Sequence, residues 1–367
     1  MQLSRTNIIM RNRAALVPLK TLTFRRSTMS RIMTALFLCL IMTGTALAAD
    51  GDEGKKVVNV FTTRSYEVDR ELFKRFEAES GIAVNVVEGK FDELVGCMKN
   101  GPEADLFLAT DGGVISRAKA AGVLQPMDSP TIFSNIPPEL RDPDRTWAAL
   151  SRRARVIVFS KDRVQAKDLS TYADLAGPQW RGKVVARPQA LYDQSLLASF
   201  IALEGPAKAE EWVKGLTANF ARPPKGNDRQ QVKDIAAGLA DAALVNTYYL
   251  GQMRFSKDPE EQKAAAAVGI IFPDQQGAGT HVNIIGAGLA AKAPHRDEAL
   301  KLLEFLTGPE AQEAISRATY FYPANPKAQQ HEMLDEFGPF KAQKINFSVL
   351  DENHGQAVEI MTGNGWE

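Results

Sequence analysis

From residue 57 onward, short β-branched runs alternate with stretches whose apolar residues recur at helical spacing. Residues 57–63 (VVNVFTT) form an apolar run bounded by polar residues, which predicts a buried strand. Val68, Leu72, Phe73 and Phe76 then repeat with a helical period, and Gly81 predicts the stop. The alternation continues with a strand at 82–87, a helix at 92–98 and a strand at 104–109. A further helix is opened by Asp111-Gly112-Gly113 and ended by Gly122. This rhythm means βαβ units, hence an α/β fold with a mixed, mostly parallel sheet flanked by helices. After a proline-rich stretch (Pro126, Pro130, Pro137, Pro138, Pro143), residues 155–160 predict a strand that leaves the first lobe. The pattern then repeats: a strand at Val184, a helix from Ser195, one through Trp212, one at 231–239 and a strand at 242–246. Apolar runs at 270–272 and 281–285 flank a Gly-rich turn, and Leu300, Leu303, Phe305 and Leu306 mark a helix starting near Pro294.

The chain has 367 residues, too many for one core of ordinary size, so two lobes are expected. Its formal net charge of zero hides an uneven distribution. Residues 1–48 carry Arg5, Arg11, Arg13, Lys20, Arg25, Arg26 and Arg31 and no acid. Removing these seven from the 44 basic residues leaves 37 against 44 acidic ones, a net charge of 37 − 44 = −7. A body of that sign lacks the electrostatic footprint for nucleic acid or an anionic membrane.

The basic segment reads as an export signal. An apolar run at 32–42 follows Arg25, Arg26 and Arg31 and precedes Ala46-Leu47-Ala48, a small-x-small cleavage pattern that places the cut after Ala48. Eleven residues are too few to cross the hydrocarbon of a bilayer, which takes about 20 in a helix. The expected product is therefore a periplasmic protein without membrane insertion after cleavage. Met29 begins a complete signal by itself, which leaves the true start open between Met1 and Met29. The Arg25-Arg26 pair leaves the choice between general and twin-arginine export open. Cys39 falls within the removed segment, which leaves Cys97 as the one cysteine of the mature chain and excludes an internal disulfide. Cys97 sits in the helical pattern FDELVGCMKN and is expected to be a small buried apolar residue.

Several motifs fail on inspection. Residues 177–184 (GPQWRGKV) come near a phosphate-binding loop, but Val184 has no hydroxyl for magnesium and Pro178 removes an amide from the cradle. Gly286, Gly288 and Ala291 fit a dinucleotide fingerprint by letters. Pro294 intervenes before the next helix, so no helix N-terminus would meet a pyrophosphate. His281, His295, His331 and His354 show no paired spacing, which argues against a His-based metal site. No nucleophile motif is present, and the expectation is a protein that is not an enzyme.

The tyrosines carry more information. Tyr66 follows the first strand, Tyr192 lies between the strand at Val184 and a helix, and Tyr248 and Tyr249 stand just past the strand at 242–246. An α/β sheet presents its carboxyl ends to the crevice between lobes, so these four phenols are expected to converge there. Tyr172, Tyr320 and Tyr322 lack that placement and read as packing residues. Several phenolates form a hard anionic oxygen set suited to a trivalent ion such as Fe3+. Free tyrosine titrates near pH ~10, so the ion must displace those protons and affinity falls in acid.

The chain resembles the iron-binding periplasmic proteins of ABC importers, near the cyanobacterial-type ferric-binding proteins. The strings that carry the likeness are VNVFTTRSYEVDRELFKRFEAESGIAV, RPQALYDQSL, LVNTYYLG, GTHVNIIGAGL, DEALKLLEFLTGPEAQ and YFYPANP. The last two belong to the wider binding-protein superfamily; RSY, LYDQSL and the paired tyrosines are more specific. The resemblance implies a two-lobed type II periplasmic binding protein with hinge crossings. One lobe is placed at 55–153 plus 279–330 and the other at 154–278 plus 331–367. It implies Tyr66, Tyr192, Tyr248 and Tyr249 as metal ligands, Fe3+ as the transported ion with Fe2+ left open, an inner-membrane ABC permease as partner, and a monomer. Ser65 stands where relatives often carry a histidine, so water or an exogenous anion would complete the shell. Asp111 matches a position that supplies a carboxylate ligand in some other ferric-binding proteins, although a helix N-cap is its ordinary role. Arg64 and Arg254 are the cations considered for balancing the site, each reading more simply as a solvated surface arginine. The competing binding class is a receptor for a small anion or organic cation, such as a phosphonate, thiamine or a polyamine. From another class, an exported mononuclear iron enzyme lacks its His or carboxylate triad.

Overall fold

The computed structural model describes residues 56–101, 103–189 and 191–367. The signal assigned to residues 1–48, with its cleavage site and the choice of start between Met1 and Met29, lies outside the described residues. Among the described residues, no helix is long and apolar enough to cross a membrane.

Among the described residues, ten strands form one continuous sheet: β1 (Val57–Thr62), β2 (Ala83–Glu88), β3 (Leu106–Ala109), β4 (Leu124–Gln125), β5 (Trp147–Ser160), β6 (Val184–Val185), β7 (Ala242–Asn246), β8 (Val268–Ile271), β9 (Val282–Ala290) and β10 (Tyr322–Pro323). The order is β2-β1-β3-β9-β5-β7-β6, with β4 added on β9 and both β8 and β10 on β5. The outer pairs β1–β2, β1–β3 and β6–β7 are parallel and close βαβ units. The middle of the sheet, from β3 through β9 and β5 to β7, is antiparallel.

β5 holds the two halves together. Its residues from Trp147 to Ala154 pair with β9, and those from Arg155 to Phe159 pair with β7. The sequence pattern shows only its second half. The first half, WAALSRRA, holds two arginines that hide a strand, yet nearly every residue of β5 is buried. Arg153 and Arg155 tolerate that burial because each meets a buried carboxylate, Asp111 for Arg153, and Asp193 and Asp228 for Arg155.

Helix boundaries follow capping chemistry. The helix Glu67–Ser80 ends where Gly81, at φ 72°, takes the left-handed conformation and donates its N–H to the carbonyl of Glu77. The helix Gly112–Ala120 begins where the Asp111 carboxylate accepts from the N–H of Gly113 at 2.7 Å. Two elements are longer than expected: the helix Leu191–Glu204 starts early enough to take in Tyr192, and β9 runs on through Gly286 and Gly288. The glycines of the apparent dinucleotide motif are therefore packing sites. A Cβ on Gly286 would come within 3.0 Å of Ile115, and one on Gly288 within 2.9 Å of both Leu124 and the backbone oxygen of Thr146. Because a backbone atom cannot swing aside, Gly288→Ala is expected to cost about 1–3 kcal/mol, read as a lower urea midpoint. The near miss at residues 177–184 is a short 3₁₀ turn, Pro178–Trp180, leading into β6, with Trp180 buried beneath it. Cys97, expected to be buried, is half-buried at the edge of the core.

Candidate metal site

Each of the four singled-out tyrosines stands at the start of a helix that follows a strand. Tyr66 occupies the N-cap position of Glu67–Ser80 with extended backbone, a few residues past β1. Tyr192 lies in the first turn of Leu191–Glu204, and Tyr248 and Tyr249 in the first turn of Thr247–Arg254, directly after β7. Sequence reasoning put Tyr192 ahead of its helix; it is inside it.

The structure brings these four side chains together. The rings of Tyr248 and Tyr249 lie 4.2 Å apart, tilted by 30°. Phe321 joins them to Tyr66, with its ring 4.7 Å from that of Tyr248 and 6.0 Å from that of Tyr66, edge-on to both. Tyr192 completes the group through its charge effect on Tyr66, Tyr248 and Tyr249. Tyr248 is buried, while Tyr66, Tyr192 and Tyr249 are half-buried. Phe321 was not singled out by the sequence, since YFYPANP resembles a general superfamily string.

Burial holds the phenols of Tyr66, Tyr248 and Tyr249 in the protonated state. Burial pushes the phenol of Tyr248 well above its ordinary value, and the neighbouring oxygens of Tyr192 and Tyr249 push it further, because crowded phenolates repel. Burial likewise raises Tyr249 and Tyr66. Guanidinium groups work against that trend: Arg64 and Arg153 act on Tyr66, Arg153 on Tyr248, and Arg187 on Tyr249.

Of the pair considered from the sequence, Arg64 is among these cations and Arg254 is not. Arg64 is buried, not solvated; its guanidinium sits 4.9 Å from the ring centroid of Tyr66 and forks onto Asp69 at 2.7 and 2.5 Å. Arg254 is spent in an exposed ion pair with Glu336. The arginines beside Tyr192 are Arg153 and Arg187, at 5.2 and 5.4 Å from its ring centroid. No sequence rule marks either one, because an isolated arginine reads as surface until its partner in space is known.

Asp111 serves as a cap and hub. Its fully buried carboxylate accepts from Gly113, Asn283, Ser195 and Arg153. Ser65 is exposed and joins a small network, donating to Glu88 and accepting from Arg70, each at 3.0 Å. The other tyrosines pack as expected: Tyr172 is buried with its hydroxyl donating to the carbonyl of Arg155, Tyr320 stacks on Phe255, and Tyr322 is buried against Phe340. Among the described residues, no group of three His, Cys, Asp or Glu side chains is gathered for a metal ion. The phenols are thus the concentrated set of hard oxygen donors, and what they suit chemically is a small, highly charged, oxygen-seeking cation.

Residues 101–348 match the family model for bacterial extracellular solute-binding proteins. The chain is 39% identical over 324 residues to iron uptake protein A1 of Synechocystis, a likeness that spans 87% of this chain and 90% of that protein. Among solved structures, it is similar to a Trichodesmium protein in complex with iron and citrate ligands, with a TM-score of 0.80 and 43% identity, covering 85% of this chain and 100% of that one. A ferric binding protein from Campylobacter jejuni gives a TM-score of 0.77 at 36% identity, covering 84% of this chain and 100% of that one. With a family model matched over most of its length and relatives this similar, the chain belongs to the bacterial extracellular solute-binding proteins.

Proposed function

We propose that this protein is the solute-binding component of an iron ABC importer. It captures Fe3+ in the crevice between two lobes through Tyr66, Tyr192, Tyr248 and Tyr249 and hands the ion to an inner-membrane permease. The observation that carries this reading is the meeting of four phenols from three separate helix starts, joined through Phe321 and the mutual contacts of their rings and oxygens. A receptor for a small anion or organic cation would not need them. The protein works in the periplasm as a monomer and binds without catalysing.

The lobe division at 55–153 plus 279–330 and at 154–278 plus 331–367 is kept as part of this proposal. The change of partner along β5, from β9 to β7 between Ala154 and Arg155, supports it. Hinge closure of two lobes around a ligand is the motion such an arrangement permits. With Ser65 engaged by Glu88 and Arg70, water or a small anion completes the shell.

Iron enters as cargo, and each ligating phenol must surrender its proton on binding. Purified residues 49–367, titrated with ferric citrate, are expected to develop a visible tyrosinate-to-iron charge-transfer band. That band should saturate at about one iron per chain. A colourless protein that takes up no iron would favour the anion or organic-cation receptor. A colourless protein that still holds iron would keep the transport role and move the ligands elsewhere.

A further inference from the structure

Beneath the phenols lies a second layer of buried charge centred on Arg155. Its Nη2 donates to Oδ1 of Asp193 at 2.6 Å and its Nη1 to Oδ2 of Asp228 at 2.9 Å, all three side chains being buried. Asp193 follows Tyr192 directly, in the first turn of the same helix. Oδ2 of Asp228 also accepts from the backbone N–H of Asn246 at 3.4 Å, and Asn246 occupies the N-cap position of the helix that opens with Thr247, Tyr248 and Tyr249. The backbone of Arg155 is itself the ladder partner of Asn246. Arg187 closes the layer, with Nη1 3.6 Å from Oδ1 of Asp228 and its guanidinium over the ring of Tyr192.

One planar guanidinium thus holds, through one carboxylate each, the two helix starts that carry three of the four phenols. Its fork fixes direction as well as distance, which an ammonium does not. A buried ion network of this kind adds little net stability over a well-packed apolar set of the same volume, so stability alone gives no reason for its presence. We infer that Arg155 is a positioning residue for the metal site: it sets Tyr192 in register with Tyr248 and Tyr249 so that their oxygens can share one ion. The inference rests on the tyrosine reading of the site.

The test compares wild type, Arg155→Lys, and the triple variant Arg155→Met with Asp193→Asn and Asp228→Asn, which removes the three charges of the fork together and leaves Arg187 without its carboxylate. Urea unfolding reports the fold, the ferric charge-transfer band reports ligand geometry, and competition with citrate reports affinity. The triple variant is expected to fold, to bind Fe3+ about 10–100-fold more weakly, and to show a displaced and weakened band. Arg155→Lys, which keeps charge but reaches one carboxylate, falls between the two. Unchanged affinity and band position in the triple variant would overturn the inference and leave Arg155 a structural residue. If the triple variant does not fold, Arg155→Lys decides alone, a wild-type band and affinity overturning the inference and a shifted, weaker one supporting it. A wild-type protein with no band at all would instead refute the tyrosine site.

Discussion

Replacing Tyr248 and Tyr249 together with phenylalanine is expected to abolish ferric binding and its visible band while leaving the fold in place. Phenylalanine keeps the ring of Tyr248 against Phe321 at 4.7 Å and against its neighbour at 4.2 Å, so the packing that anchors this helix start survives. What is lost is two donor oxygens, each a neutral hydroxyl able to hydrogen-bond. A neutral hydrogen bond contributes about 1 kcal/mol to stability, so the unfolding midpoint should move little. The metal site has no such reserve. Removing an outer-shell partner already costs about 10–100-fold in affinity, and the loss of two direct ligands must exceed that by a wide margin. Competition against citrate, with circular dichroism as the folding control, measures both effects. Iron affinity within a few-fold of wild type in a folded double variant would mean that these phenols are not ligands.

The outer strands and the helices between them were legible because each is a short, locally complete pattern: VVNVFT, LFLA and AALVN are predominantly apolar and buried or half-buried. The same locality exposed the tyrosines, since the end of a parallel strand points to the crevice whatever surrounds it. The first half of β5 was not legible, because Arg152 and Arg153 belong in a buried strand only once Asp111 and the carbonyl of Ile284 are known to lie beside Arg153. The early start of Leu191–Glu204 has a similar cause. Asp193 is held there by Arg155, a partner 38 residues away that leaves no mark on the local pattern. Phe321 was hidden for the same reason: its place between Tyr66 and Tyr248 arises from tertiary packing alone.

Acid is expected to strip the iron steeply, because the protein has made its phenols hard to ionise. Four phenolates around Fe3+ carry a net charge of about −1, and free phenols titrate near pH ~10. In this site burial moves Tyr66, Tyr248 and Tyr249 above that value, and mutual repulsion adds to the rise for Tyr248. All are therefore protonated at neutral pH before the ion arrives, and each one that ligates must release a proton. Protons then compete directly with iron, so affinity falls by about tenfold per pH unit for each phenol displaced, approaching ~10⁴ per unit if all four ligate. Arg64 and Arg153 oppose this by favouring the phenolate form of Tyr66, and Arg187 does so for Tyr249. Neutralising Arg153 should accordingly shift iron release toward higher pH. The measurement is the charge-transfer band followed from about pH 7 down to about pH 4, together with the protons released per iron bound in a pH-stat. Three to four protons per ion, after correction for the chelator, agree with the phenolate site. Fewer than about two, or an affinity that stays flat in acid, would assign the ion to groups already ionised at neutral pH, which the buried tyrosines are not.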